Sequence, residues 1–157
     1  MEKMIIQTAV WAAAYGFLIP AAVRDMKEMS VPTAWIFRGA GAALVCAALR
    51  AAAAGTGTWS LPAAAGALLP GAFFATISFV SRDRIGAADP AAVLLLGLLF
   101  PARTVWVAFF ASMILISAAS LILIAFRRAG TETKIPYLPF LTVALTGTLL
   151  AAGIFRI

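Results

Sequence analysis

The sequence contains no histidine and a single cysteine, Cys46. Those two shortages remove Ser-His and Cys-His nucleophile pairs, the His-Glu-x-x-His zinc site, cysteine zinc clusters and any disulfide within the chain. Cys46 itself lies in "GAALVCAAL", where it reads as a small buried apolar residue. Charge is scarce as well: twelve basic and six acidic side chains in 157 residues, against about a quarter of the residues in ordinary soluble domains. The net charge of +6 does not point to nucleic acid. The cations stand one to three at a time between apolar segments, as in membrane-flanking loops, and form no continuous stripe. No cofactor, metal site or nucleic-acid partner is expected.

What the chain has in abundance is apolar surface. Hydrophobic residues make up 64% of it and the mean hydropathy is +1.03. A single domain of this size with so few charges must hide that surface in a bilayer. The expectation is an all-α, polytopic membrane bundle over residues 1–157. Apolar runs stand at about 4–23, 33–54, 61–80, 88–101, 104–126 and 136–155, giving six candidate transmembrane helices. The fourth reaches only about 20 Å against a hydrocarbon core of about 30 Å, so it is expected to start in a water-accessible notch. Only "PART" (101–104) separates it from the fifth, which leaves five spans as an alternative. The first run follows Met-Glu-Lys with no small-residue cleavage site, and no cleavable signal peptide is expected. Gly39, Ala43 and Ala47 recur every four residues and predict a close helix contact on one face. Pro62 suits a first helical turn, and Pro70 predicts a kink. No duplicated half suggests a transporter built from inverted repeats.

Counting cations by loop predicts the orientation. With the N-terminus outside, the inner face receives Arg24, Lys27, Arg38, Arg82, Arg84, Arg127, Arg128 and Lys134, and the outer face Lys3, Arg50, Arg103 and Arg156. Both loops that hold Asp25 and Asp89 then fall on the cytoplasmic side.

Glu2, Glu28, Asp83 and Glu132 sit in or near polar loops, where solvation accounts for them. Asp25 and Asp89 stand at helix ends beside lipid, where a carboxylate is costly unless hydrated, paired or protonated. Two readings remain open for them. Asp89 before Pro90 is a good helix start, with Asp capping free N–H groups, and Asp25 is then one more loop charge. Alternatively the two carboxyls meet, share one proton, and activate a water against a peptide carbonyl, as aspartic proteases do. The first reading belongs to a non-catalytic membrane protein, a small transporter or assembly subunit with caps or a proton relay. A transporter needs polar groups within its spans, and this chain offers mainly Gln7, Thr76, Ser78, Ser112, Ser117 and Ser120.

The words around the aspartates resemble those of the prepilin peptidases. "DMKEMSVPTAW" (25–35) is similar to that family's Asp-x-Lys-x-x-x-Ile-Pro-Asn pattern, with Asp25, Lys27 and Pro32 in register. "RIGAADPAAVLLLGLLF" (84–100) resembles its Gly-x-Gly-Asp motif, with Gly86, Ala88 and Asp89 at the defining positions. "KIPYLPFLTVAL" (134–145) resembles the start of the family's last helix. The resemblance implies a membrane aspartic endopeptidase of the cytoplasmic membrane, with catalytic Asp25 and Asp89. Such an enzyme removes the leader of type IV pilin-like precursors on the cytoplasmic face. The long members' Cys-x-x-Cys domain has no counterpart here, which implies the peptidase-only form. Departures are Ala88 for Gly, Ala91 for a common Lys, Pro90 for an aliphatic residue and Thr33 for Asn. If position 88 needs a positive φ, Ala costs about 1 kcal/mol there.

Overall fold

In a chain this apolar, backbone groups must be satisfied within each segment, and every long apolar run accordingly folds as a helix. The computed structural model describes residues 2–54, 61–81, 86–126 and 135–155. Among them are six helices and no strand: α1 (Glu2–Glu28), α2 (Thr33–Ala54), α3 (Leu61–Val80), α4 (Ala88–Leu99), α5 (Ala102–Ala125) and α6 (Leu138–Phe155). The alternative of one helix across "PART" is excluded. Phe100 precedes a proline, which disfavours the helical region, and it is extended at φ −124° and ψ 156°. The helix α3 continues through Pro70 as one element.

The helix α1 runs past its apolar stretch to Glu28, so Asp25 lies in its last turn and not in a loop. Met, Lys and Glu are good helix formers and carry the helix on until Met29 turns left-handed at φ 50°. The Met29 N–H closes that turn on the Asp25 carbonyl at 3.1 Å. A side chain in this conformation costs roughly 1 kcal/mol, and Met29 is exposed. Met29→Gly is therefore expected to stabilise the protein by about 1 kcal/mol, read as a higher Tm of the detergent-purified chain.

The helices close into a ring in the order α1, α2, α4, α3, α5, α6, back to α1. The short α4 also leans inward onto α1 and α5. Beyond Asp89 in its first turn the helix is apolar on all sides, and Pro90, Ala92, Val93, Leu95, Leu96, Gly97 and Leu99 are all buried. That is the composition of a helix surrounded by others. The small-residue face of α2 packs as expected: Gly39 stands against the Phe17 ring of α1 and Ala43 is buried. Cys46 is buried on the same side, with its thiol toward the Ala9 carbonyl. Elsewhere α5 ties to α3 through the Trp106 indole N–H on the Gly66 carbonyl (3.1 Å), and α1 to α6 through Tyr15 and Thr146 (3.0 Å).

Two stretches, Pro62–Val80 and Ala102–Ala125, are long and apolar enough to cross a membrane. Only 22% and 17% of their apolar windows are buried inside the protein, whereas the core helix of a soluble domain is mostly buried. Their outward faces carry Phe73, Phe79, Phe110, Ile114 and Leu121, Phe79 being 88% exposed. Arg82, Arg84, Arg127, Arg128 and Lys134, which supply most of the inner-face charge, lie outside the described residues.

Candidate active site

A carboxylate in the last turn of a helix faces the negative end of its own helix dipole, and Asp25 is only 8% exposed. Its stabilisation has to come from another element, and α6 provides it. The first amides of a helix have no partner within it. Here the Leu138 N–H donates to Asp25 Oδ2 at 3.1 Å, and the Tyr137 N–H acts on the same carboxyl. In the flanking "PYLP" the two prolines, Pro136 and Pro139, carry no N–H. Tyr137 and Leu138 are the donors left between them. Burial pushes the Asp25 carboxyl above its ordinary range, and the two amides oppose that rise.

Asp89 arrives from α4. The residue flanking that helix is Ala87, with no side-chain cap, and Asp89 stands one position inside the first turn. The expectation that Asp89 caps α4 is thus corrected. Its own N–H is spent on the Gly86 carbonyl at 3.1 Å. Burial, and then the charge of Asp25, push the Asp89 carboxyl up to about 7. Both acids lie at one end of the bundle, at the mouth beside the loops and outside the two long spans.

The other motif positions support this mouth in different ways. Gly86 is exposed beside the carboxyl: a methyl placed on it would stand 3.8 Å from Asp89 Oδ2, an ordinary contact distance. Ala88 is helical, and Met29 alone among the described non-glycine residues has positive φ, so the expected backbone penalty at position 88 does not arise. Pro32 is exposed and accepts the Trp35 N–H at 2.9 Å in the turn that starts α2. Lys27 is exposed on α1 and takes no part in holding the pair.

Tyr137 and Ser112 were not singled out as site residues from the sequence. Tyr137 is buried below the pair, its ring edge-on to Phe74 at 5.2 Å. Burial, and then the charge of Asp89, push its phenol upward, against the hydrogen bond to Ser112, so it stays protonated. The Ser112 hydroxyl donates its one proton to the Phe109 carbonyl at 2.7 Å, so at 2.9 Å it accepts from the Tyr137 O–H. The hydroxyls of Thr76, Ser117 and Ser120 are turned back onto their own helices, to Ala72, Met113 and Ile116, and form no polar pathway through the bundle. Among the described residues no group of three or more histidine, cysteine or carboxylate side chains gathers that would hold a metal.

A carboxyl titrating near 7 when folded and at its ordinary 3.8 when unfolded binds its proton more tightly in the folded state. Its contribution to stability is complete below about pH 4 and is lost as the pH rises through 7. Asp25, also raised, acts with the same sign. Asp89→Asn is expected to flatten the fall in stability between about pH 4 and pH 7 and to gain on the order of 1–2 kcal/mol at the upper end. Unfolding midpoints measured against pH check this.

The fold is an all-helical bundle, two of whose helices are apolar enough to cross a membrane, and the charge of Asp25 reaches Asp89 within it. A model of the type IV leader peptidase family matches residues 12–121, more than two thirds of the chain, and the chain belongs to that family. The matched stretch contains Asp25 and Asp89 and ends ahead of Tyr137. Comparison with curated proteins and with solved structures returns no match. Membership implies protease activity of the leader-peptidase type on prepilin-like substrates in general.

Proposed function

We propose that the chain is an aspartic endopeptidase of the cytoplasmic membrane that removes the leader of type IV pilin-like precursors, with Asp25 and Asp89 as its catalytic pair. The observation that carries this reading is the approach of the buried Asp25 carboxyl of α1 and the half-buried Asp89 carboxyl of α4, the charge of one acting on the other. Such a pair holds a single proton near neutral pH. The ionised carboxylate takes a proton from water as the water oxygen bonds to the scissile carbonyl carbon, and the protonated partner gives its proton to the carbonyl oxygen. The resulting diol collapses when the first carboxyl returns its proton to the leaving nitrogen. A diol hydroxyl then gives its proton to the second carboxylate. The C–N bond breaks and the pair is restored.

In this reading the apolar stretches of the six helices lie in the bilayer with the N-terminus outside, and the carboxyl pair stands beyond them on the cytoplasmic face. The apolar outward side chains and the excess of cations on that side support the arrangement. At about 18 Å, α4 is too short to span, so water reaches Asp89 at its start. A peptide bond in a helix is shielded by its hydrogen bonds, and the substrate extends locally beside Gly86 and Ala87, which are exposed. Incubation of the purified chain with a prepilin-like precursor, a short leader ahead of a hydrophobic helix, tests the proposal. Cleavage just before the hydrophobic helix is expected, and an intact precursor would end it.

A further inference from the structure

The two carboxyls of the pair are not held alike. Asp25 is met by the amides at the start of α6, whereas the Asp89 carboxyl stands in the first turn of α4 beside the exposed Gly86, with burial and the charge of Asp25 as the influences on it. Hydrogen bonds from N–H groups favour the charged form of a carboxyl, so the asymmetry selects which acid is ionised. The same amides belong to a turn that is pinned from the other side. From Tyr137, one residue before α6, a chain runs O–H to Ser112 Oγ to the Phe109 carbonyl, all within the core and anchored on α5. Phe74 of α3 closes over the ring.

We propose that Tyr137, braced by Ser112, is a positioning residue for the carboxyl pair: it holds the amides of Tyr137 and Leu138 against Asp25, so that Asp25 is the base and Asp89 carries the shared proton. This rests on the aspartate pair being catalytic. The hydroxyl of Tyr137 is buried on Ser112, and it acts through the backbone it anchors.

The titratable groups facing the pair from the packed elements are Asp25 of α1, Asp89 of α4 and Tyr137 itself. From α3 and α5 come Phe74, Phe109 and Ser112, which do not titrate in this range. Of the cations at this end of the bundle, Arg24 and Arg38 lie over the Trp35 indole, each 5.8 Å from its centre, and Lys27 is exposed, as is Glu28. Arg82, Asp83 and Arg84 lie outside the described residues.

The test is a double-mutant cycle of Tyr137→Phe and Ser112→Ala in the full purified chain, with kcat and KM for a prepilin-like precursor measured across pH. Tyr137→Phe keeps the ring against Phe74 and removes only the hydroxyl. Each single variant is expected to lower kcat about tenfold with KM unchanged, as for an interaction worth one charged hydrogen bond. The acidic limb of the kcat profile moves to higher pH, because a loosened Asp25 binds its proton more tightly. The double variant is no slower than either single one, because both break the same brace. A folded Tyr137→Phe with wild-type kcat and an unmoved limb overturns the inference, and so do additive losses without a shift, which would be packing alone. Asp25→Asn and Asp89→Asn run beside them. If those still cleave, the catalytic pair is wrong; if they are dead while Tyr137→Phe matches wild type, only the positioning role fails.

Discussion

On the proposed mechanism, Asp25→Asn and Asp89→Asn are each expected to abolish leader removal, with kcat falling by about a thousandfold or more. The amide is the same size as the carboxyl but cannot take up the water proton at position 25, nor supply an acidic proton at position 89. The fold survives both changes for reasons visible in the structure. In Asp25→Asn the side-chain amide oxygen still accepts the Leu138 N–H, and in both variants the neutral amide removes the burial cost that pushes the acids upward. The loss is therefore catalytic. Because the two groups act as a unit, the double variant is no worse than either single one. Single-turnover cleavage of a prepilin-like precursor, with Tm measured on the same preparations, checks both statements. Full processing by either variant would refute the catalytic pair.

Gly97→Ala is expected to destabilise the bundle by about 2–3 kcal/mol and to lower activity with it. A methyl on Gly97 of α4 would stand 2.5 Å from the Ala67 carbonyl oxygen of α3, and a methyl on Gly71 of α3 would stand 2.7 Å from the Leu94 amide nitrogen of α4. Each helix presents a glycine to the backbone of the other. Neither obstacle is a flexible side-chain tip, so the helices must move apart, and α4 carries Asp89 with it. Gly147→Ala on α6 is the control, since nothing lies within 4 Å of the added methyl. There the substitution gains about 0.5–1 kcal/mol from helix propensity. Thermal unfolding of the two variants in one detergent separates clash from propensity; equal Tm shifts would remove the close α3–α4 contact from the account.

The close face of α2 was legible in the four-residue spacing of Gly39 and Ala43; Ala67, Gly71 and Ala75 repeat that spacing in α3, whereas Gly97 carries no such pattern. Single glycines in apolar runs look alike, and only the neighbouring backbone distinguishes them. The position of Asp25 was legible only to within a turn, because the helix outruns its apolar stretch by five charged or polar-flanked residues, 24–28. Position 88 gave the opposite error. The motif suggested strain that the helical backbone at Ala88 does not hold.

Local chemistry in the sequence determined the helical class, five or six apolar helices and the two acids worth watching; the structure placed the break at Phe100 and so made the helices six among the described residues. Burial pattern, proline and carboxyl cost all act within a few residues of where they are written. Only the tertiary structure decided how those acids are held. The partners of Asp25 are backbone amides 112 and 113 positions away, read from Tyr137 and Leu138. An N–H has no side-chain signature, and its direction is set by how α6 packs between α1 and α5.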